Sequence, residues 1–257
     1  MRKNISIKSL ILLLTSILIV SACSDDSPSG EPPSIPDLSS VRPSFDFFNQ
    51  NNKAAKVAGE NFQLAQSLTF TMESLITGFS SLPESFIQSA QNEDAELIDD
   101  VWTWDYSASG QGSSISIKLT AEETNSQVNW AMYLSVNTQE QSFENYKFFD
   151  GHVKNEGKEG EWNFYSFEEE STSAVMTYDW LITSETEASF NITFDDASFS
   201  TMSYNKNTPD NTLTINGDNE TTVIFWNSST GTGYFDTSGE DRVCWDSSSN
   251  NTPCTGA

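Results

Sequence analysis

Three patterns of apolar and polar residues follow one another along the chain. An apolar run covers residues 10–20, apolar side chains recur every three or four positions over residues 53–82, and from about residue 101 they recur at every second position. The second pattern is typical of helices that bury one face, and the third is typical of strands that bury one face. The sequence therefore predicts a short apolar segment, then helices, then a β-domain.

The helical region, residues 45–98, is predicted to pack on the β-domain through one apolar stripe. A break near Thr69 stays open, because the letters LTFTM around it alternate like a strand. Ser81 and Glu84 have the spacing of a capping box with a proline between them, which predicts a second short helix ending near Ala90. The members of the stripe are Ala58, Phe62, Ala65, Leu68, Met72, Leu75, Phe79 and Leu82.

Residues 99–257 form a succession of short alternating segments joined by short polar turns. About ten segments have this pattern, and turns such as NKNTPDN and NGDNE separate them. Consecutive strands joined by hairpins make an antiparallel meander, and this many strands favour curvature. We predict a mainly β protein with N-terminal helices, in which the meander curls into a barrel, half-barrel or wrapped sheet around a helix. Residues 45–98 and 99–257 are expected to form one globular unit.

The apolar run is typical of a secretory signal. Arg2 and Lys3 precede it, and eleven residues are too few to cross a bilayer, which needs about 20. The letters VSAC at 20–23 resemble the lipobox of bacterial lipoproteins, in which the cysteine is lipidated. The resemblance implies that residues 1–22 are a signal peptide and that Cys23 carries acyl chains such as palmitate. Ser24, Asp25 and Asp26 after the cysteine resemble the acidic export tag of surface lipoproteins, which implies an anchor in the outer membrane or at the cell surface. An ordinary cleaved signal with a chance cysteine is the alternative.

Composition narrows the range of partners. Residues 23–44 are rich in Ser, Pro and Asp, which predicts a disordered tether after the lipidated cysteine. The chain has 12 Lys and Arg against 37 Asp and Glu, a formal net charge of −25. Nucleic acid is therefore not an expected partner, and contact with the membrane is expected through the N-terminal lipid. Cys244 and Cys254 are expected to form a disulfide in an oxidising compartment.

A stretch at 148–167 carries a second resemblance. Gly160, Trp162 and Tyr165 place an aromatic residue after a Gly-x-Trp sequence, which is similar to one unit of bacterial MORN-like hairpin repeats. No second copy recurs at a fixed period. The resemblance implies a β-hairpin and no activity.

Little in the sequence points to catalysis. His152 is the single histidine, which leaves too few ligands for a histidine metal site and no Ser-His-Asp arrangement. Adjacent carboxylates on a strand point to opposite faces, so doublets such as Asp195 and Asp196 do not make a glycosidase pair. We predict no catalytic residues and no cofactor. Calcium held by the acidic loops at 216–220 and 236–241 stays open, although their spacing differs from that of a helix-loop-helix calcium site.

Three aromatic residues on one strand face, Trp102, Trp104 and Tyr106, are the candidate contacts for a ligand or glycan. Burial in the hydrophobic core is the alternative for them. The expected protein is a membrane-anchored, non-catalytic lipoprotein that binds a hydrophobic or lipid-like molecule within a curved sheet, an architecture that resembles lipocalin-like and periplasmic lipid carriers. A structural or adhesive surface protein that binds glycan or another envelope protein is the alternative, and an acid/base hydrolase comes third.

Overall fold

The computed structural model describes residues 31–33, 45–50, 58–90, 93–110, 112–124, 126–139, 141–166, 173–195 and 199–254. The predicted signal peptide, Cys23 and nearly all of the predicted tether lie outside these ranges. Within them, no helix combines the length and the apolar character that crossing a membrane requires.

Two helices precede a run of strands. Helix α1 covers Asp46–Gln50 and helix α2 covers Glu60–Ala90, and a 3₁₀ turn at Asn155–Gly157 lies within the strand region. The strands are β1 (Glu96–Ile98), β2 (Val101–Gly110), β3 (Ser113–Glu123), β4 (Val128–Asn137), β5 (Ser142–Lys154), β6 (Glu159–Tyr165), β7 (Ala174–Ile182), β8 (Glu187–Phe194), β9 (Phe199–Asn207), β10 (Asp210–Gly217), β11 (Thr221–Asn227), β12 (Gly233–Thr237), β13 (Val243–Trp245) and β14 (Asn251–Thr252).

The strands form one antiparallel sheet in strict sequence order. Each described strand pairs with the next one along the chain, and β1 and β14 are the two edges of the sheet. The sheet is therefore open rather than closed, and the predicted antiparallel meander is confirmed. The additional strands β1, β13 and β14 are two or three residues long, which is too short for an alternating pattern to be recognised in the sequence.

One face of the sheet, which we call the inner face, carries most of the hydrophobic core. In β4 the side chains of Trp130, Met132, Leu134 and Val136 are buried, and the residues between them are only partly buried. The same alternation continues through β6, β7, β8, β10 and β11. This period of two is the pattern from which the strands were predicted.

Tryptophans on the inner face lie over glycines of the neighbouring strands. Gly151 on β5 is paired with Trp130 on one side and Trp162 on the other. Gly160 on β6 is paired with Trp180. A Cβ atom built on either glycine would come within 3.0 Å of an indole carbon or a backbone atom, a separation that Cβ atoms do not adopt. The indole rings therefore occupy the space that a larger residue would need.

The two helices cover part of the inner face. Phe45, which precedes α1, contacts the rings of Tyr204 and Trp226. Helix α2 contacts β3 and β12 to β14. Its buried residues are Ala65, Thr69, Met72 and Ile76 together with Phe62, and the predicted stripe members Leu68 and Leu75 are partly buried against the core.

Helix α2 is continuous, so the break near Thr69 that the sequence left open does not occur, and the prediction of a separate helix from Ser81 is wrong. The hydroxyl of Thr69 donates to the carbonyl of Ala65 at 2.9 Å, which satisfies this buried polar group within the helix. Pro83 lies inside the helix, where its missing N–H removes one backbone hydrogen bond. Phe79 and Leu82 of the predicted stripe have side chains outside the description.

The C-terminal hairpin, β13 and β14, binds the first turn of α2. The Asn61 N–H donates to Asn251 Oδ1 at 3.1 Å, and the Gly59 N–H donates to the Ser249 carbonyl at 2.8 Å. These bonds satisfy N–H groups that a helix leaves without partners at its N-terminus. The predicted disulfide between Cys244 and Cys254 is confirmed, and it closes this hairpin.

We expect Gly160→Ala to lower the free energy of unfolding by about 1–3 kcal/mol, because the new methyl group would overlap the Trp180 ring. Gly78→Ala is the matched control, since Gly78 is an exposed helical position with open space around it. That substitution should raise stability by about 0.5–1 kcal/mol. Urea unfolding followed by circular dichroism measures both, and equal effects of the two substitutions would contradict the packing described here.

We expect joint replacement of Cys244 and Cys254 by serine to destabilise the protein by about 2–3 kcal/mol, because the bridge closes a loop with a sequence separation of 10. Hydrogen exchange should quicken at the Gly59 and Asn61 amides, which the hairpin binds, and should change less at the β6 amide of Trp162. Uniform acceleration at all three amides would show that the bridge does not act through the hairpin.

Candidate ligand cavity

A cavity of about 760 Å³ opens on the inner face, beside the turns at one end of the strands. Every second turn of a meander lies at the same end of the strands, and the turns after β5, β7, β9 and β11 lie around the cavity. We call it the strand-end cavity. Its volume lies within the range of about 300–1,000 Å³ that is usual for small-molecule sites. Its lining residues include Phe47, Lys158, Ile182, Ala188, Phe190, Tyr204, Lys206, Asn211 and Trp226.

The cavity floor consists of aromatic rings that stack on one another. Tyr204 lies between Phe190, at a centroid distance of 5.9 Å, and Trp226, at 5.8 Å, with interplanar angles of 15° and 8°. Phe47 stacks on Trp226 at 6.4 Å. Rings that stand side by side on a sheet present their edges to the space above it. Phe190, Tyr204 and Trp226 are only 2–4% exposed, so the cavity meets the edges of these rings rather than their faces.

Polar groups deep in the cavity bond to one another. Asn211, which is 5% exposed, accepts a hydrogen bond from the Tyr204 hydroxyl at 3.2 Å and donates to the Pro209 carbonyl at 3.0 Å. Burial raises the pKa of Tyr204 well above its usual value, so this hydroxyl stays protonated at neutral pH. The Lys206 ammonium donates to the Glu185 carbonyl. The deep end of the cavity is therefore apolar with its polar atoms satisfied, and charged groups lie at its mouth.

A second recess, of about 620 Å³, lies on the outer face over β3 to β6. It brings the single histidine, His152, opposite Glu161 on the next strand. Asp150 also lines it, and this carboxylate accepts hydrogen bonds from Tyr165 at 2.9 Å and from Lys147 at 2.8 Å. The hydrogen bond that Lys147 donates to Asp150 raises the pKa of Lys147, and burial raises the pKa of Tyr165. The Asp150 carboxylate is thus fully engaged by neighbouring side chains.

Calcium binding by the acidic loops stays a prediction in the part of the chain that the structure describes. Within it, no three His, Cys, Asp or Glu side chains form a group that could hold a metal ion. In the loop at 236–241, Asp236 forms an ion pair with Arg242 at 2.8 Å.

The three aromatic residues predicted as ligand contacts do not line the strand-end cavity. Trp102 and Trp104 are buried, and Trp104 stacks on Trp130 at 6.0 Å. Tyr106 is half-buried, and its hydroxyl has no hydrogen-bond partner among the described residues. Contact of these residues with a ligand or glycan stays a prediction, and their packing in the core is what the structure describes.

The rings that do line the cavity were not singled out from the sequence. Phe190, Tyr204 and Trp226 belong to strands that were predicted, and each occupies an inner-face position near a turn. The available signal was the polar Lys206 and Asn211 at positions where the alternation calls for apolar residues.

No family model, no curated protein and no solved structure matches the chain.

Proposed function

We propose that this chain is a lipid-anchored, non-catalytic protein of the bacterial outer membrane or cell surface that binds a hydrophobic or lipid-like molecule in the strand-end cavity. The anchor rests on the resemblance of VSAC at 20–23 to a lipobox. The single observation that supports ligand binding is the cavity itself, with its aromatic floor and its mouth beside the turns at the strand ends.

The stacking of the floor favours an aliphatic ligand over a glycan at this cavity. A sugar ring binds to an aromatic residue by lying against the open face of its ring. Here both faces of Tyr204 are flanked by rings, because Phe190 and Trp226 lie on either side of it. Aliphatic chains have no such requirement, since contacts with ring edges and methyl groups remove their surface from water equally well.

The adhesive alternative has weaker support from the described surface. The large hydrophobic residues that are exposed there lie on three different elements, with Leu64 and Phe70 on α2, Ile98 on β1 and Leu181 on β7. On the outer face, Phe225 stacks on Tyr234, and Arg242 covers that tyrosine ring at 4.1 Å. An acid/base hydrolase would need carboxylates that converge on one substrate, and Asp150 is held by Lys147 and Tyr165.

Cys23→Ser is expected to abolish acylation and to move the protein from the membrane fraction to the soluble fraction, because the thiol is the predicted attachment point. Metabolic labelling with radioactive palmitate and cell fractionation measure the two effects. Cys244→Ser is the control, since this cysteine belongs to the C-terminal disulfide and its loss should leave labelling unchanged. Undiminished labelling of Cys23→Ser would exclude this anchor.

Ligand binding is tested by native mass spectrometry of residues 23–257, with Cys23→Ser to prevent acylation, after incubation with envelope lipids from the source cells. We expect a discrete added mass that is lost on denaturation. Ser184→Trp should lower the occupancy several-fold, because Ser184 lines the cavity mouth.

Thr186→Trp is the matched control for that variant. Ser184 and Thr186 share one side-chain hydrogen bond in the same turn, so each substitution removes it, but Thr186 does not line the cavity. Occupancy should therefore fall in the first variant and persist in the second. If the protein shows no added ligand mass after any incubation, or if the two variants bind the ligand with equal occupancy, binding in this cavity is refuted.

A further inference from the structure

We propose that the ligand of the strand-end cavity is an aliphatic amphiphile with a carboxylate head group, and that the head group binds to Lys206 and Lys158. This inference rests on the proposed function, and it adds the chemical class of the ligand and the residues that recognise it.

The first argument is the distribution of positive charge. The described residues include six Lys and Arg. Lys147, Lys154 and Arg242 form ion pairs with carboxylates, and Lys118 lies over the Tyr133 ring at 5.0 Å. Like Lys118, the remaining two, Lys158 and Lys206, have no carboxylate within ion-pair distance among the described residues. Both of them line the strand-end cavity.

The second argument is the position of Lys206 in the sheet. It is paired with Ala188 on β8 and with Asn211 on β10, both of which are buried. Lys206 therefore occupies an inner-face position, where the same strand places the buried Tyr204 and Met202. A lysine on an apolar face costs solvation free energy unless its charge is compensated.

The compensation that the protein itself supplies to Lys206 is partial. The ammonium donates one hydrogen bond to the Glu185 carbonyl, and it carries three N–H groups. A backbone carbonyl brings only a partial charge. A ligand carboxylate at the mouth would supply a full opposite charge and accept a further N–H, which makes Lys206 the stronger of the two anchors.

Carboxylates also line the mouth, and their exposure explains why they repel a singly charged head group only weakly. Asp46, Glu156 and Glu185 are exposed, so water and salt screen their charges. Lys206 is half-buried, where the effective dielectric constant is lower and each charge interaction is stronger. Because three carboxylates oppose two lysines, a head group with one negative charge fits better than a doubly charged phosphate.

The test is isothermal titration of residues 23–257, carrying Cys23→Ser, with three probes below their micellar concentrations. Oleate, oleyl alcohol and oleylamine share one chain and carry an anionic, a neutral and a cationic head group. We expect oleate to bind most tightly. Lys206→Met should weaken oleate about tenfold or more, as expected for the loss of a hydrogen-bonded charge pair, and should leave oleyl alcohol unchanged.

Lys158→Met should weaken oleate by a smaller factor, because this side chain is exposed. Lys154→Met is the matched control, since Lys154 is paired with Glu159 and lies outside the cavity lining, and it should not change oleate binding. A second readout is the ¹³C resonance of carboxyl-labelled oleate, which should titrate at lower pH in the parent protein than in Lys206→Met.

The outcomes separate the two proposals. If oleyl alcohol binds as tightly as oleate and neither lysine variant affects oleate, the head-group inference is overturned while the hydrophobic site stands. Tightest binding of oleylamine would also overturn the inference, because it would show that the carboxylates at the mouth, rather than the lysines, bind the head group. If none of the three probes binds, the proposed function fails together with the inference.

Discussion

The structure depends on the close fit between tryptophan rings and glycines across neighbouring strands. A slip of one residue in a strand moves all of its side chains to the opposite face. Where Gly151 lies between Trp130 and Trp162, such a slip would bring a side chain against an indole ring or a carbonyl group. Gly233 has the same relation to Trp226 and Trp245 near the other end of the sheet. These fits oppose register shifts, in addition to the alternation that buries one face of each strand.

The cavity arises where this filling of the inner face stops. Across the middle of β6 to β9 the inner face carries large rings, among them Trp162, Trp180 and Phe190. At the next inner-face positions toward the turns, the residues are Ala188 on β8, Lys206 on β9 and Asn211 on β10. These residues pair across neighbouring strands and form one row of the sheet. A methyl group, a lysine stem and an amide fill less volume than indoles do. The space left beside the rings is therefore a consequence of residue size in a single row of the sheet.

Much of the fold was predictable because periodicity depends on the sequence alone. The β4 pattern, with Trp130 and Met132 buried, is a local property of its own strand. The site was not predictable in the same way. Trp226 and Trp104 are both core residues on alternating strands, each 2% exposed, and of the two only Trp226 also borders the strand-end cavity. A ring borders a cavity when the residues paired beside it on neighbouring strands are small. Which residues are paired depends on the strand register, which the sequence of one strand does not reveal. The continuity of the long helix was missed because the strand-like alternation around Thr69 and the proline at position 83 are both accommodated within it.

The position of the cavity is consistent with an anchor at Cys23. Asp46 and Phe47 line the cavity, and they follow the predicted tether almost directly. A chain covers at most about 3.5 Å per residue, so residues 23–44 limit the distance between a lipidated Cys23 and the cavity mouth to about 75 Å. An aliphatic ligand has low solubility in water, and a longer path through water would slow its transfer. Attachment of the predicted tether beside the mouth, rather than at the other end of the strands, would keep this path short. The same anchor would therefore determine both where the protein resides and how closely its cavity can approach the membrane.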